Sequence, residues 1–303
     1  TMPTYSHNVT GLELITDALL MVGGIGEHEV VTGDNAGVTF ALRTLNNMIK
    51  TLQKQGYHLW SRRTATLFLN SGQAVYSLGS ATTDDHWTET YLTTTLDAAA
   101  AIAAVTLTVV STTGVEDGDF IGVELADGTR HWSTVTQVTA TTLKINDALP
   151  SAASDEASVI TYTTRPQRPL KVEYATQSDI EVDIEPYEVY LNQQNKTANG
   201  TVVFCSYQPH LTSGKLYVWM CGTVNQTLKL LIEHPLADIG VGDNPDLPVE
   251  WYEPLTWNLA ARLMMSYKTL KGDRRAEIRQ EAARSLAEVS MFDTEGSIQF
   301  QPE

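Results

Sequence analysis

Pairs of acidic side chains come nearest to a catalytic arrangement in this sequence. A glycoside hydrolase needs two carboxylates, one to protonate the leaving oxygen and one to act as base or nucleophile. The candidates are Asp84 with Asp85, Glu116 with Asp117 and Asp119, and Asp179 with Glu181. All of them fall in turn-like or alternating segments, where acidic residues are ordinary solvated surface. We therefore expect no catalytic residue and no enzymatic activity.

Two adjacent pairs, His86–Trp87 and His131–Trp132, suggest aromatic rings that could stack on a sugar. Packing of such a pair on the protein core is the favoured interpretation. The seven histidines are scattered and form no H-x-x-x-H or H-E-x-x-H pattern, so no metal site is predicted. No phosphate-binding loop or nucleophile elbow occurs either, and we expect no cofactor.

The charge of the chain limits its partners. Thirty-six acidic side chains stand against twenty basic ones in 303 residues, for a formal net charge of −16. This balance argues against a protein that grips nucleic acid through its phosphates. It fits a surface past which nucleic acid slides, and equally an acidity that only keeps the protein soluble. No apolar run of about 18 residues and no signal-peptide pattern occur, so no membrane partner is expected. Cys205 and Cys221 are interpreted as small buried residues and not as a disulfide.

Two helices are predicted near the N-terminus from apolar residues at helical spacing. The first is capped by Thr10 and continues through Val22. The second is capped by Asp34 or Thr32 and closed by Gly56. Its apolar face consists of Val38, Leu42, Leu45, Ile49 and Leu52.

Two further helices are predicted near the C-terminus. One begins near Pro248 or Pro254, ends at Gly272, and is apolar nearly all round, which is typical of a central helix. Its main stripe is Leu255, Leu259, Leu263 and Tyr267. The last helix is capped by Asp273 and has Ile278, Ala282, Leu286 and Val289 on one face. We expect the helices from the two chain ends to pack into one core.

The middle of the chain has the period of two that is typical of strands. Residues 65–69 and 74–78 around "NSGQ" predict a hairpin. Further strands are expected near 171–174, 201–207, 215–219 and 227–233, with a short helix or loop around 186–194. Between them, about residues 93–164 are rich in Thr, Val, Ala and Gly with turns at "EDGD", "ADGT" and "NDALP". This composition and the spacing of the turns predict a small inserted barrel or sandwich.

The predicted fold class is therefore α+β, with a helical bundle built from both chain ends, an antiparallel β parent domain and an inserted all-β domain. The predicted bounds are 1–62 and 244–292 for the helical core, 63–83 and 165–243 for the parent β region, 84–164 for the insertion and 293–303 for a tail. The predicted helical-core residues are Leu42, Leu45, Ile49, Leu255, Leu259, Leu263, Ile278 and Leu286.

Four stretches in order carry a resemblance to a known family: "LITDALLMVG", "ALRTLNNMIKTLQKQGYHLW", "ATLFLNSGQAVYSLG" and "PVEWYEPLTWNLAARLM". The series resembles the head-to-tail adaptors of short-tailed bacteriophages, also called packaged-DNA stabilisation or tail tubular proteins. The resemblance covers about residues 11–78 and 169–292. The segment from about 84 to 164 departs from the family's minimal pattern, so the resemblance leaves its role in doubt.

The resemblance implies a structural virion protein that assembles in the bacterial host cytoplasm. Members of the family look like ring-forming subunits, usually twelve, that attach beneath the portal ring, extend the DNA channel and offer a platform to the next tail or nozzle protein. Double-stranded DNA would pass without sequence-specific binding. The C-terminal segment of similar proteins reaches the portal, which implies portal-docking roles here for Phe292, Ile298 and Phe300.

Two alternatives stay open. Some relatives are reported to degrade peptidoglycan, so one alternative is a muramidase-like virion protein that uses carboxylates of the β region. No motif maps such a site onto this sequence. The other is a binding module whose β insertion recognises a glycan or another tail protein.

Overall fold

A computed structural model describes residues 8–26, 31–33, 35–55, 61–223, 226–267 and 271–292. It shows an α+β protein whose residues fall into two compact units, a helical unit from both chain ends and a β unit, Arg62–Pro235. The helices are α1 (Gly11–Met21), α2 (Ala36–Gln53), α3 (Tyr187–Leu191), α4 (Tyr252–Leu263) and α5 (Gly272–Phe292). No described helix is long and apolar enough to cross a membrane.

The N-terminal helices begin at side-chain caps. Thr10 caps α1 as predicted, and it forms a capping box in which Thr10 N donates to Glu13 Oε2 at 2.7 Å. The predicted cap of α2 is wrong, because Asn35 and not Asp34 or Thr32 takes that place. Asn35 has extended backbone geometry, and its Oδ1 accepts from Gly37 N at 2.8 Å. The predicted stop at Gly56 lies outside the described residues.

Helix α4 is central, as its composition predicts, and packs against α1, α2 and α5. Leu255, Leu259 and Leu263 are buried. The remaining predicted core residues are Leu45, Ile49 and Ile278, which are buried, and Leu42 and Leu286, which are half-buried and pack against the same cluster.

The predicted ends of the C-terminal helices need correction. Helix α4 stops at Leu263 and not at Gly272, because the chain turns there and Ser266 N donates to Leu263 O at 2.8 Å. The next helix already includes Gly272, so Asp273 lies in its first turn and is not its cap. The two helices together form an α4–α5 hairpin.

A strap, residues 236–243, holds α1 and α2 together. The amide of Asn46 imitates a neighbouring strand: its Nδ2 donates to Ile239 O at 3.0 Å and its Oδ1 accepts from Ile239 N at 2.8 Å. At the start of α1, Gly11 N donates to Asp243 O at 2.9 Å. A Cβ on Gly11 would lie 2.5 Å from Gly240 O, so only glycine fits there.

The β unit contains two sheets. Eight strands form a near-closed, barrel-like sheet in the order β2-β13-β12-β11-β10-β14-β1-β3. They are β1 (Arg62–Phe68), β2 (Val75–Leu78), β3 (Trp87–Thr88), β10 (Lys171–Gln177), β11 (Ile180–Ile184), β12 (Phe204–Gln208), β13 (Gly214–Trp219) and β14 (Thr227–Glu233). The pairing is antiparallel except between β11 and β12, which are parallel.

The predicted hairpin of β1 and β2 is wrong. β1 pairs with β14 and β3, and β2 pairs with β13. Both segments have the expected alternation, but alternation does not select a partner strand. The chain turns away after β1, where Leu69 N donates to Gln226 O at 3.2 Å.

The second sheet has six strands in the order β4-β9-β6-β7-β8-β5, and all its pairs are antiparallel. They are β4 (Leu92–Thr95), β5 (Thr106–Thr108), β6 (Phe120–Glu124), β7 (Arg130–Val138), β8 (Thr142–Ile145) and β9 (Ser158–Tyr162). It has an apolar cluster of its own, which includes Leu107, Ile121 and Leu143. Strand β3 falls within the predicted insertion but pairs with β1, so the six-stranded sheet begins only at Leu92.

Candidate functional site

The candidate catalytic carboxylates are engaged in turns. Asp84 Oδ2 accepts from Ala81 N at 3.1 Å, and Asp85 accepts from Gln73 Nε2 at 2.8 Å and from Ser77 N. A carboxylate that accepts backbone N–H groups fixes a turn.

The other carboxylates are engaged in a similar way. Asp119 Oδ2 accepts from Glu116 N, and Asp117 Oδ1 from Val138 N, both at 2.9 Å. Asp179 pairs with Lys229 at 3.3 Å, while Glu181 is exposed on β11. Within the described ranges, no three His, Cys, Asp or Glu side chains could hold a metal ion. Cys205 and Cys221 are buried free thiols, as predicted.

The most elaborate polar arrangement is an arginine–histidine cluster where the two sheets meet. It comprises Phe120, Trp132, Tyr162, His86 and Arg165. Chain crossings between the sheets position it, because His86 immediately precedes β3 and Arg165 follows β9. The guanidinium of Arg165 lies 4.2 Å from the Phe120 ring centroid, which is cation–π geometry.

Hydrogen bonds connect the cluster. Arg165 Nε donates to Tyr162 Oη at 3.2 Å, and Tyr162 Oη lies 2.6 Å from His86 Nδ1. Arg165 Nη1 donates to Ala81 O at 3.0 Å. Arg165 Nη2 lies 3.2 Å from His86 Nδ1 and 3.3 Å from His86 Nε2, so the guanidinium contacts both the tyrosine and the imidazole.

Titration of the cluster follows from burial. Burial first, and then the charge of Arg165, lower the pKa of His86 to about 3. Burial raises the pKa of Tyr162 to about 12, although Arg165 opposes that shift. Near neutral pH the histidine and the tyrosine are both uncharged, and Arg165 is the only cation of the cluster.

Neither His–Trp pair presents a ring to a sugar. Trp87 is fully buried and donates to Gly79 O. His86 covers one face of Trp132, with ring centroids 3.8 Å apart and planes at 3°. Gly122 approaches the same indole from β6, since a Cβ there would lie 2.5 Å from it. The core-packing interpretation of these pairs therefore holds, and stacking of a sugar on Trp132 does not fit.

Sequence reasoning missed Tyr162 and Arg165. Both are single residues of common type, and their role depends on the pairing of distant strands. The predicted portal-docking residues cannot be placed: Ile298 and Phe300 lie outside the described residues, and for Phe292 only its backbone in α5 is described.

No family model and no curated protein matches this chain. Solved structures resemble part of it, and two of them are phage tailspikes. The Gp54 tailspike of Acinetobacter baumannii bacteriophage AP22, in complex with A. baumannii capsular saccharide, has 13% identity and a TM-score of 0.23, over 26% of this chain and 15% of the tailspike. The Pseudomonas phage phi297 tailspike gp61 has 21% identity and a TM-score of 0.21, over 24% and 14%. The likeness thus involves only about a seventh of each tailspike, and its TM-scores carry no argument about function.

Proposed function

We propose that this chain is a structural, non-enzymatic virion protein: a head-to-tail adaptor. It would form a ring beneath the portal, and the family resemblance implies twelve copies in that ring. The ring would extend the DNA channel, retain packaged DNA and provide a platform for the next tail or nozzle protein.

One observation supports this proposal most. The stretches that carry the family resemblance are far apart in sequence, yet three of them supply α1, α2 and α4, which pack around one core. The fourth supplies β1 and β2 of the eight-stranded sheet. Three stretches that meet in one apolar core are more informative than separate short matches.

The engaged carboxylates weigh against the muramidase-like alternative. The most buried candidates, Asp84 and Asp119, accept backbone N–H groups, whereas a catalytic acid and base face a substrate cleft. The muramidase-like alternative would be supported if the protein lyses purified peptidoglycan and an Asp84→Asn or Asp119→Asn variant that still folds loses this activity.

The binding-module alternative depends on the six-stranded sheet. Trp132, the aromatic residue singled out for sugar stacking, is covered by His86. Excising residues 90–163 tests the role of this sheet, because β3 and the eight-stranded sheet then stay in the chain. We expect portal attachment to survive the excision and any glycan or tail-protein contact to be lost.

The decisive experiment is native mass spectrometry of the purified protein alone and after mixing with portal rings. We expect the protein to join the ring in one fixed multiple, and twelve is the multiple that the resemblance implies. A chain that never joins a portal ring would overturn the proposal. Deleting residues 293–303 should leave the fold intact and weaken attachment, because the tail is the predicted portal-docking segment.

A further inference from the structure

The α4–α5 hairpin carries opposite charge at its two ends. Residues 262–279 contain six of the chain's twenty basic residues against two acidic ones, although the whole chain has a net charge of −16. Around the connection of the two helices, Arg262, Lys271 and Arg279 are exposed. Within the described part of the chain, none of these three forms an ion pair. We call the surface formed by Arg262, Lys271 and Arg279 the basic end.

An exposed methionine lies at the basic end. Met265 is 71% exposed, and Arg279 Nη2 lies 4.0 Å from its sulfur. Methionine is flexible and fills irregular apolar gaps. An exposed methionine surrounded by cations is suited to a pocket with an apolar floor and an acidic rim.

The opposite end of the same hairpin is such a pocket. An open groove of about 150 Å³ lies between the start of α4 and the last turns of α5. Pro254 and Val289 contribute its apolar lining, and its acidic residues are Glu250, Glu253 and Glu288. All three glutamates are exposed, and only Glu288 has an ion-pair partner among the described residues, Arg284 at 3.9 Å. We call this the acidic groove.

Part of the charge of α5 stabilises the helix itself. Arg274 pairs with Glu277 at 2.8 Å and Arg284 with Glu281 at 2.7 Å, and Asp273 lies in the first turn. Arg279, in contrast, has no ion-pair partner among the described residues, and neither do Glu250 and Glu253 at the other end of the hairpin. These charges remain for a second surface of complementary charge.

We propose that copies of this chain associate head to tail through the α4–α5 hairpin, with the basic end and Met265 of one copy seated in the acidic groove of the next. Such a contact joins two different surfaces, so it generates a ring when the rotation closes. The inference rests on the ring proposed above and identifies its contact between copies.

Disulfide trapping tests the contact in the full-length protein. A Val249→Cys and Ser266→Cys double variant places thiols beside the acidic groove and the basic end without changing their charges or Met265. Closure within one chain is prevented, because the twelve residues of α4 separate the two thiols by about 18 Å, whereas a disulfide needs Cα atoms within about 7 Å. Mild oxidation should produce a ladder of dimers, trimers and larger species. Each single-cysteine variant is limited to dimers, and Cys205 and Cys221 are buried.

Charge reversal makes the test specific. In the double-cysteine background, Arg279→Glu or Glu253→Arg should each reduce the ladder about tenfold or more, because like charges then face each other. The two reversals together should restore it. Lys144→Glu, at an exposed position of the six-stranded sheet, is the matched control and should change nothing. A ladder that ignores the reversals, or that never exceeds the single-cysteine controls, overturns the proposal.

Portal binding and DNA binding separate the remaining outcomes. A ladder without portal attachment would support the proposed contact between copies and contradict the adaptor function. Portal attachment without a ladder would support the adaptor function and contradict the proposed contact. If Arg279→Glu weakens binding of a duplex DNA probe and leaves the ladder intact, the basic end serves DNA and the proposal fails.

Discussion

The helical unit and the β unit differ in the polar groups that they bury. The core of the helical unit is apolar, and its part-buried polar links include neutral amides that bond backbone groups, such as Asn46 on the strap and Asn258 on Ala282 O. The β unit instead buries a cation, Arg165, against His86 and Tyr162 where its two sheets meet. The helical unit is therefore expected to be sensitive to packing, and the β unit to charge and pH.

Placing a charge in the core of the helical unit should have the largest effect. Leu259 is fully buried in α4, so Leu259→Asp buries an unpaired carboxylate and removes packing on every side. We expect a loss of more than about 4 kcal/mol, enough to unfold this unit. Hydrogen exchange measured separately on α1, α2 and α4 reports the loss.

The matched control for that change is Leu259→Met, which keeps the volume and should cost less than about 1.5 kcal/mol. A folded Leu259→Asp protein with wild-type hydrogen exchange in α4 would contradict the central position of this helix in the unit. If the strands of the β unit keep their protection while the helices lose theirs, the two units differ in stability as well as in chemistry.

The same contrast explains what the sequence could predict. Helix periodicity is local, so the helices, the central place of α4 and its buried leucines follow from spacing alone. Strand pairing is not local, and β1 has the same alternation whether its partner is β2 or β14. The predicted cap of α2, Asp34 or Thr32, is wrong because Asn35 has a side chain of the same capping chemistry and only the backbone selects among the three.

The arginine–histidine cluster was beyond sequence reasoning for a related reason. Its members are up to 79 positions apart, between His86 and Arg165, and meet only after both sheets form. Composition favours an exposed arginine, since arginine is seldom fully buried. By contrast, the core-packing interpretation of Trp87 and Trp132 required only the alternation of their strands.

Removing the buried cation should have the next largest effect, confined to the β unit. Arg165→Ala takes the donor from Ala81 O and from Tyr162 Oη and leaves a cavity beside Phe120. We expect a loss of about 3 kcal/mol in the free energy of unfolding of the β unit. The pKa of His86 should also rise, because Arg165 is the second cause of its lowering.

Chemical denaturation followed by strand hydrogen exchange measures the loss, and NMR titration of the His86 ring measures the pKa. Arg165→Met separates the two contributions, because it keeps much of the packing without the charge and should cost less than Arg165→Ala. An Arg165→Ala variant within 0.5 kcal/mol of wild type, on the order of an ordinary surface change, would show that the cluster does not hold the sheets together.

Acid should destabilise the β unit through His86, and the expected loss in free energy of unfolding per pH unit is the smallest of these effects. Its pKa is about 3 in the folded protein, against about 6.5 for an unperturbed histidine. Between these values the unfolded chain binds a proton that the folded chain does not, so stability falls as pH falls from 6.5 toward 3, by at most about 1.4 kcal/mol per pH unit. His86→Gln should flatten this slope. Denaturation midpoints between pH 4 and 7 measure the slopes, and an equal slope in wild type and His86→Gln would assign the acid sensitivity to other groups.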